Sequence, residues 1–248
     1  MIEVQDLHKS FGAQKVLEGV SFKIEKGETV MLVGRSGCGK SVLLNHLAGL
    51  MSPDAGQVLI VGENLCGKTE RELLRIRRRF GVLFQGAALF DSMTVEENIS
   101  FLLRREGKLS AKEISDRVDE VLAVVQLPGT RDKKPSELSG GMRKRVGLAR
   151  AIIYRPEIIL YDEPTTGLDP VVSDSIDKMI HRVARQFDVT SVVVTHDIRS
   201  MRRVGERIIM LANGRIYADD TPENIFSSKD TLIHNFVNGI SEDKEIDF

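Results

Sequence analysis

Thr29-Val-Met-Leu-Val-Gly34-Arg-Ser-Gly-Cys-Gly-Lys-Ser41 passes from a β-branched run into a glycine-rich turn, and then meets Val42, Leu43, Leu44, Leu47 and Leu50. That apolar pattern predicts a buried helix ending near Gly49 and Pro53. Strand, glycine loop and helix in this order make a P-loop. Glycines let backbone amides converge on phosphate oxygens, and the helix amino terminus adds its dipole. Gly34, Arg35, Ser36, Gly37, Cys38, Gly39, Lys40 and Ser41 are therefore the nucleotide cradle, with Lys40 reaching the β and γ phosphates and Ser41 ligating magnesium. Cys38 needs no chemistry of its own, since a small residue suffices there.

Outward from this loop, Ile2 to Leu7, Val20 to Ile24 and Gln57 to Val61 read as further strands separated by turn signals. From Lys68 to about Tyr154 the pattern is mainly helical. Ser110 and Glu113 form a capping box ahead of Ile114, Val118, Val121, Leu122 and Val125, and a second helix runs from Gly140 to Tyr154. Strands return at Ile158 to Tyr161 and Ser191 to Thr195, flanking a helix that carries Val172, Ile176, Met179, Ile180 and Val183. Alternation of this kind predicts a mostly parallel, helix-covered sheet interrupted by a helical insertion.

A nucleotide site needs a metal-binding carboxylate at the end of a second buried strand, and Ile158-Ile-Leu-Tyr-Asp162 provides one, followed at once by Glu163. Asp162 would hold the metal and Glu163 would orient the attacking water. Leu138-Ser-Gly-Gly-Met142, at the start of a predicted helix, makes a second anion cradle from Ser139, Gly140 and Gly141. With the P-loop, Asp162-Glu163, Gly167-Leu-Asp169 and His196, this segment resembles the nucleotide-binding subunit of ATP-binding cassette (ABC) transporters over nearly the whole chain.

The resemblance implies an α/β fold: a P-loop NTPase (RecA-like) core with a mostly parallel sheet, an N-terminal antiparallel β-subdomain and an inserted helical subdomain. A single domain over 1–240, with the helical part near 86–155, is the corresponding division. It implies ATP and Mg2+ as ligands, and a homodimer in which the signature of one subunit closes over the P-loop of the other. Asp169 then communicates across the interface, and His196 contacts the γ phosphate. Gln85 matches the glutamine that approaches magnesium and water where the ATPase meets its membrane partner, and Phe11 matches the ring that stacks on adenine. Core packing is the other reading of Phe11.

Met142, where most relatives carry glutamine, the continuation Arg143 to Arg150, and Gly86-Ala-Ala-Leu-Phe-Asp-Ser-Met-Thr94 are similar to the ATPases of Mla-type phospholipid transport systems. Those work with an integral-membrane permease and a periplasmic lipid-binding protein of the mammalian-cell-entry (MCE) class. The Gly86 to Thr94 stretch is then a groove for the permease's coupling helix, or else a loop buried under the insertion. An amino-acid or other small-solute importer, and a soluble ABC ATPase acting as a mechanical scaffold, share the same core motifs.

The 248 residues are 42% apolar and 29% charged, values of a packed soluble domain. Thirty-five basic against 36 acidic residues leave a formal net charge of −1, which argues against nucleic acid as a partner. Two cysteines, Cys38 and Cys66, fit a reducing compartment, and no run reaches the roughly 18 apolar residues of a membrane span. The expected location is cytoplasmic, peripheral on the inner face of the inner membrane through the permease. Arg75 and Arg77 to Arg79 read as a solvated helix face with local ion pairs, the alternative being contact with anionic lipid headgroups. Thr221 to Ile240 reads as an amphipathic stretch that covers its own domain, the alternative being a small regulatory subunit, and 241–248 as a loosely ordered acidic tail.

Overall fold

The computed structural model describes residues 1–240; the expected acidic tail lies outside the described residues. In chain order the elements begin with β1 (Ile2–Phe11), β2 (Gln14–Ile24), β3 (Thr29–Val33), α1 (Lys40–Leu47), β4 (Ala55–Ile60), β5 (Glu63–Asn64), α2 (Glu70–Arg77) and β6 (Phe80–Leu83). Then come α3 (Val95–Glu106), α4 (Ala111–Val124), α5 (Gly140–Ile152), β7 (Ile158–Asp162), α6 (Pro170–Phe187) and β8 (Thr190–Val194). The described chain finishes with α7 (Ile198–Val204), β9 (Arg207–Ala212), β10 (Arg215–Asp220), α8 (Pro222–Ser227) and α9 (Thr231–Asn238).

Two sheets result. The order β2-β1-β4-β5 is antiparallel throughout. The order β10-β9-β3-β8-β7-β6 is parallel except for the terminal hairpin of β9 and β10. Side chains in the parallel strands alternate between two buried faces, as strand geometry requires. Val30, Leu32, Ile158, Leu160, Val192 and Val194 join one core with α1 and the antiparallel sheet; Met31, Val33, Ile159, Tyr161 and Val193 join the other with α3 to α9.

Three helices begin with reciprocal capping boxes, Thr69/Glu72 for α2, Thr94/Glu97 for α3 and Ser110/Glu113 for α4, each satisfying two otherwise unpaired backbone donors. The expected helix from Gly140 ends at Ile152. The mainly helical stretch from Lys68 also contains a strand of the main sheet, β6, and β9 and β10, to which the sequence pattern assigns no element, form a hairpin. Four residues with Gly81 among them carry little local strand signal. β6 exists because it pairs with β7 and because a Cβ at Gly81 would lie 2.5 Å from the Ala151 carbonyl of α5.

Ile225, Ile233 and Val237 of α8 and α9 are buried in the second core, with Phe226, Leu232 and Phe236 packed on it, so this segment covers its own domain. The arginines from Arg75 on are ion-paired: Arg75 and Arg79 with Glu63, Arg77 with Glu70, and Arg78 with Glu106.

Candidate functional site

Open parallel sheets form their ligand crevice at the carboxyl ends of the strands. Here β3 runs directly into the glycine loop, β7 ends in Asp162 with Glu163 next, His196 follows β8, and Gln85 follows β6. Because β8 lies between β3 and β7, these segments emerge side by side.

The loop adopts a conformation only glycine tolerates at its two narrow points. Gly34 has φ +148°, and a Cβ there would meet the Leu211 carbonyl oxygen at 2.2 Å and Cys38 Sγ at 2.7 Å. Gly39, the amino cap of α1, has φ +105° and lies against Val16 and Leu17. Buried Lys40 bends back along the loop, its Nζ donating to the carbonyls of Gly34 (2.8 Å) and Arg35 (3.0 Å). Ser36, Gly37 and Ser41 are exposed, and burial pushes the Cys38 thiol upward in pKa. A cavity of about 340 Å³ lies between Arg35 to Cys38 and Gln14 to Val16 of β2. Phe11 at the end of β1 is 48% exposed, with Lys9 Nζ 5.7 Å from its ring centre, which excludes core packing.

Glu163 is held at φ +48°, a strained backbone for a residue with a side chain. Its carboxylate accepts from the Thr166 hydroxyl at 3.0 Å and lies 2.9 Å from Nδ1 of exposed His196. Burial, then the neighbouring Glu163 charge, raise the pKa of Asp162, while Lys144 and Lys40 oppose the rise. Lys144 of α5 was not singled out in the sequence. It is buried and donates to the main-chain carbonyls of Gln85 and Glu163, the latter at 3.1 Å. Its type and spacing on an amphipathic helix gave no signal, since Lys is ordinarily a surface residue.

The signature stands on a different part of the molecule. Ser139 caps α5 by accepting from Met142 N at 3.3 Å. Gly140 faces Leu168, and a Cβ on Gly141 would lie 2.5 Å from Val172, so the segment packs on the start of α6. Asp169 caps that helix, its Oδ1 accepting from Val171 N (2.9 Å) and Val172 N (3.0 Å). The structure thus gathers Lys40, Asp162, Glu163, His196 and the Gln85 main chain in one cluster, and Ser139, Gly140, Gly141 and Asp169 in another.

Beyond β6, an apolar groove of about 420 Å³ is lined by the exposed residues Leu50, Phe84, Phe90 and Leu102 together with Arg77 and Tyr154. The buried amide of Asn98 shapes its rim through hydrogen bonds with Phe90, Met93 and Thr94. The Gly86 to Thr94 stretch is therefore a groove wall, with only Ala87 fully covered among its first residues.

Comparison with known proteins places the chain in a family. A family model described as ABC transporter matches residues 17–166. "Protein TRIGALACTOSYLDIACYLGLYCEROL 3, chloroplastic" of Arabidopsis thaliana is 40% identical over 96% of this chain and 74% of its own. "Intermembrane phospholipid transport system ATP-binding protein MlaF" of Haemophilus influenzae is 34% identical over 98% of this chain and 92% of its own. "Sulfate/thiosulfate import ATP-binding protein CysA" of Bradyrhizobium diazoefficiens is 41% identical over 95% and 68% respectively. Among solved structures, the dimeric post-hydrolysis state of the ATP-binding cassette MJ0796 bound to ADP and Pi superimposes with a TM-score of 0.81 at 34% identity, covering 90% of this chain and 99% of that one. The P-loop NTPase fold with its antiparallel amino-terminal sheet is that of these cassettes, and the chain belongs to the ABC transporter family as an ATP-binding, ATP-hydrolysing subunit.

Proposed function

We propose that this chain powers phospholipid transport at a bacterial envelope, as one of two identical ATPase subunits coupled to a separate permease. The observation that carries the catalytic part is the convergence of Lys40, Asp162, Glu163 and His196 at the ends of β3, β7 and β8. The lipid substrate is supported by the MlaF relative and by the Met142 and Gly86 to Thr94 features.

Gly34 to Ser41 bind the ATP phosphates, and Phe11 stacks on adenine. Lys40 exchanges its two carbonyl partners for phosphate oxygens. Ser41, Asp162 and the Gln85 side chain offer hard oxygen donors beside a carboxylate pair whose mutual repulsion a cation relieves, which suits Mg2+. When bound, that ion neutralises charge on the β and γ phosphates. Glu163, aimed by Thr166 and His196, orients a water; its oxygen bonds to the γ phosphorus as the bond to the β–γ bridging oxygen breaks, and ADP and phosphate leave. Ser139, Gly140 and Gly141 of the second copy complete the cradle across the interface that Asp169 borders, so each site needs two protomers.

The groove at Phe84 and Phe90 receives the permease's coupling helix. Attachment to the cytoplasmic face of the inner membrane runs through that permease; no helix among the described residues is long and apolar enough to cross a membrane. An MCE-type periplasmic lipid carrier is the further partner, a small regulatory subunit is the optional one, and nucleic acid is not a partner. The chain is one ATP-binding domain over 1–240, with its helical part at about 86–155.

Glu163→Gln tests the assignment. With the permease present, the variant retains ATP binding, accumulates as an ATP-bound dimer and loses steady-state hydrolysis; unchanged hydrolysis refutes the role of Glu163. A permease that co-purifies with bound phospholipid supports the substrate. One that carries none, and whose ATPase is stimulated by a small solute, favours the import reading to which the CysA relative points.

A further inference from the structure

The start of α5 does more than present the signature. Lys144 is 5% exposed, and its ammonium bridges two segments distant in sequence, donating to the Gln85 carbonyl and to the Glu163 carbonyl. The two segments it joins are strained on either side of it: Glu163 at φ +48°, Ala87 at +61° and Ala88 at +46°. Such conformations persist only where surrounding structure holds them.

The same helix supplies the rest of the hold. Arg150 donates to the Ala87 and Ala88 carbonyls, both at 2.7 Å. Gly147 lets the loop approach, since a Cβ there would lie 2.8 Å from Leu83 and 3.2 Å from Ala87. Packing alone does not call for a buried cation at position 144; an apolar side chain of similar length fills the space without the desolvation that lowers this lysine's pKa. Asp162 and Glu163 are the charges facing it.

We propose that Lys144 is a positioning residue for hydrolysis. It fixes the Glu163 main chain, and through it the carboxylate paired with His196, to the Gln85 carbonyl at the edge of the apolar groove. An occupant that displaces Phe84 or Phe90 therefore shifts Glu163 through this ammonium. The inference rests on the catalytic reading of Glu163 given above.

The test compares kcat and KM for MgATP, with melting temperatures, in the full chain and its Lys144→Met, Lys144→Gln and Glu163→Gln variants. Misplacement of a reacting group by about 1 Å costs on the order of 100-fold, so Lys144→Met lowers kcat by roughly 10- to 100-fold. KM stays within about twofold, because the nucleotide cradle is untouched. Lys144→Gln, which keeps an N–H donor, recovers part of the loss. A merely structural lysine would lower the melting temperature without separating kcat from KM. Should Lys144→Met fail to fold, Lys144→Gln alone carries the comparison, with a smaller fall in kcat at unchanged KM. Wild-type kcat in every Lys144 variant that folds, while Glu163→Gln is inactive, overturns this inference alone. Full hydrolysis in Glu163→Gln overturns both it and the functional reading.

Discussion

Asp177→Asn should remove a pH dependence from the stability of this protein. Asp177 lies on α6, 2% exposed; its Oδ2 accepts from the Ser200 hydroxyl of α7 at 2.8 Å and its buried Oδ1 has no hydrogen-bond partner. Burial is the chief cause that lifts its pKa from the ordinary 3.8 to about 6; Ser200 lowers it, Asp197 raises it, Arg203 lowers it and Asp174 raises it. Arg203, the cation that lowers it, is itself paired with Asp174 at 2.6 Å and so offsets the Asp177 charge only in part. Since the native pKa is the higher one, native Asp177 binds a proton more tightly than the unfolded chain does. Its contribution is most favourable below pH 3.8 and is lost as pH rises through 6.

The difference between 6 and 3.8, at about 1.36 kcal/mol for each pH unit, amounts to about 3 kcal/mol of destabilisation at pH 8. At pH 5 the same linkage gives about 1.6 kcal/mol, leaving about 1.4 kcal/mol between the two conditions. For a chain of this size that corresponds to about 3–6 °C in Tm. Thermal melts of both proteins, nucleotide-free at pH 5 and pH 8, read the quantity directly. The Tm of Asp177→Asn relative to the unsubstituted protein should be higher at pH 8 than at pH 5 by that amount. Any fixed cost of the new amide cancels in the comparison. Equal Tm differences at the two pH values refute the reasoning. The bond matters for function too, because α6 starts at Asp169 and α7 follows His196.

Gly34→Ala should abolish ATP binding and destabilise the chain, because its Cβ meets a fixed main-chain oxygen at 2.2 Å, whereas Gly37→Ala has open space and bears only the backbone cost of φ +77°, about 1–2 kcal/mol. ATP titrations of the two variants separate the cases, and equal affinities count against the geometry. Asn98→Ala, which strips a fully buried amide of four loop hydrogen bonds, should cost about 2–4 kcal/mol and weaken permease binding. A Tm within about 1 °C of the unsubstituted protein contradicts that role.

Much of this molecule is legible in local sequence because its chemistry depends on local backbone shape. The P-loop, the Asp162-Glu163 pair and the signature each announce themselves through glycines, caps and a strand or helix beside them, so β3, β7, β8 and α5 were expected close to where they lie. β6 and the β9–β10 hairpin were not, since four residues containing Gly81 become a strand only when β7 offers its edge. The amino-acid order by itself determined the nucleotide cradle and its family, because phosphate binding is done by main-chain amides whose arrangement glycine spacing dictates. The tertiary structure alone decided the side-by-side order of β3, β8 and β7, the apolar groove, and the buried ammonium of Lys144 between Gln85 and Glu163. Those depend on contacts between residues distant in sequence, 59 positions for Lys144 and Gln85 and 162 for the pairing of Thr29 with Ser191, which no local periodicity encodes.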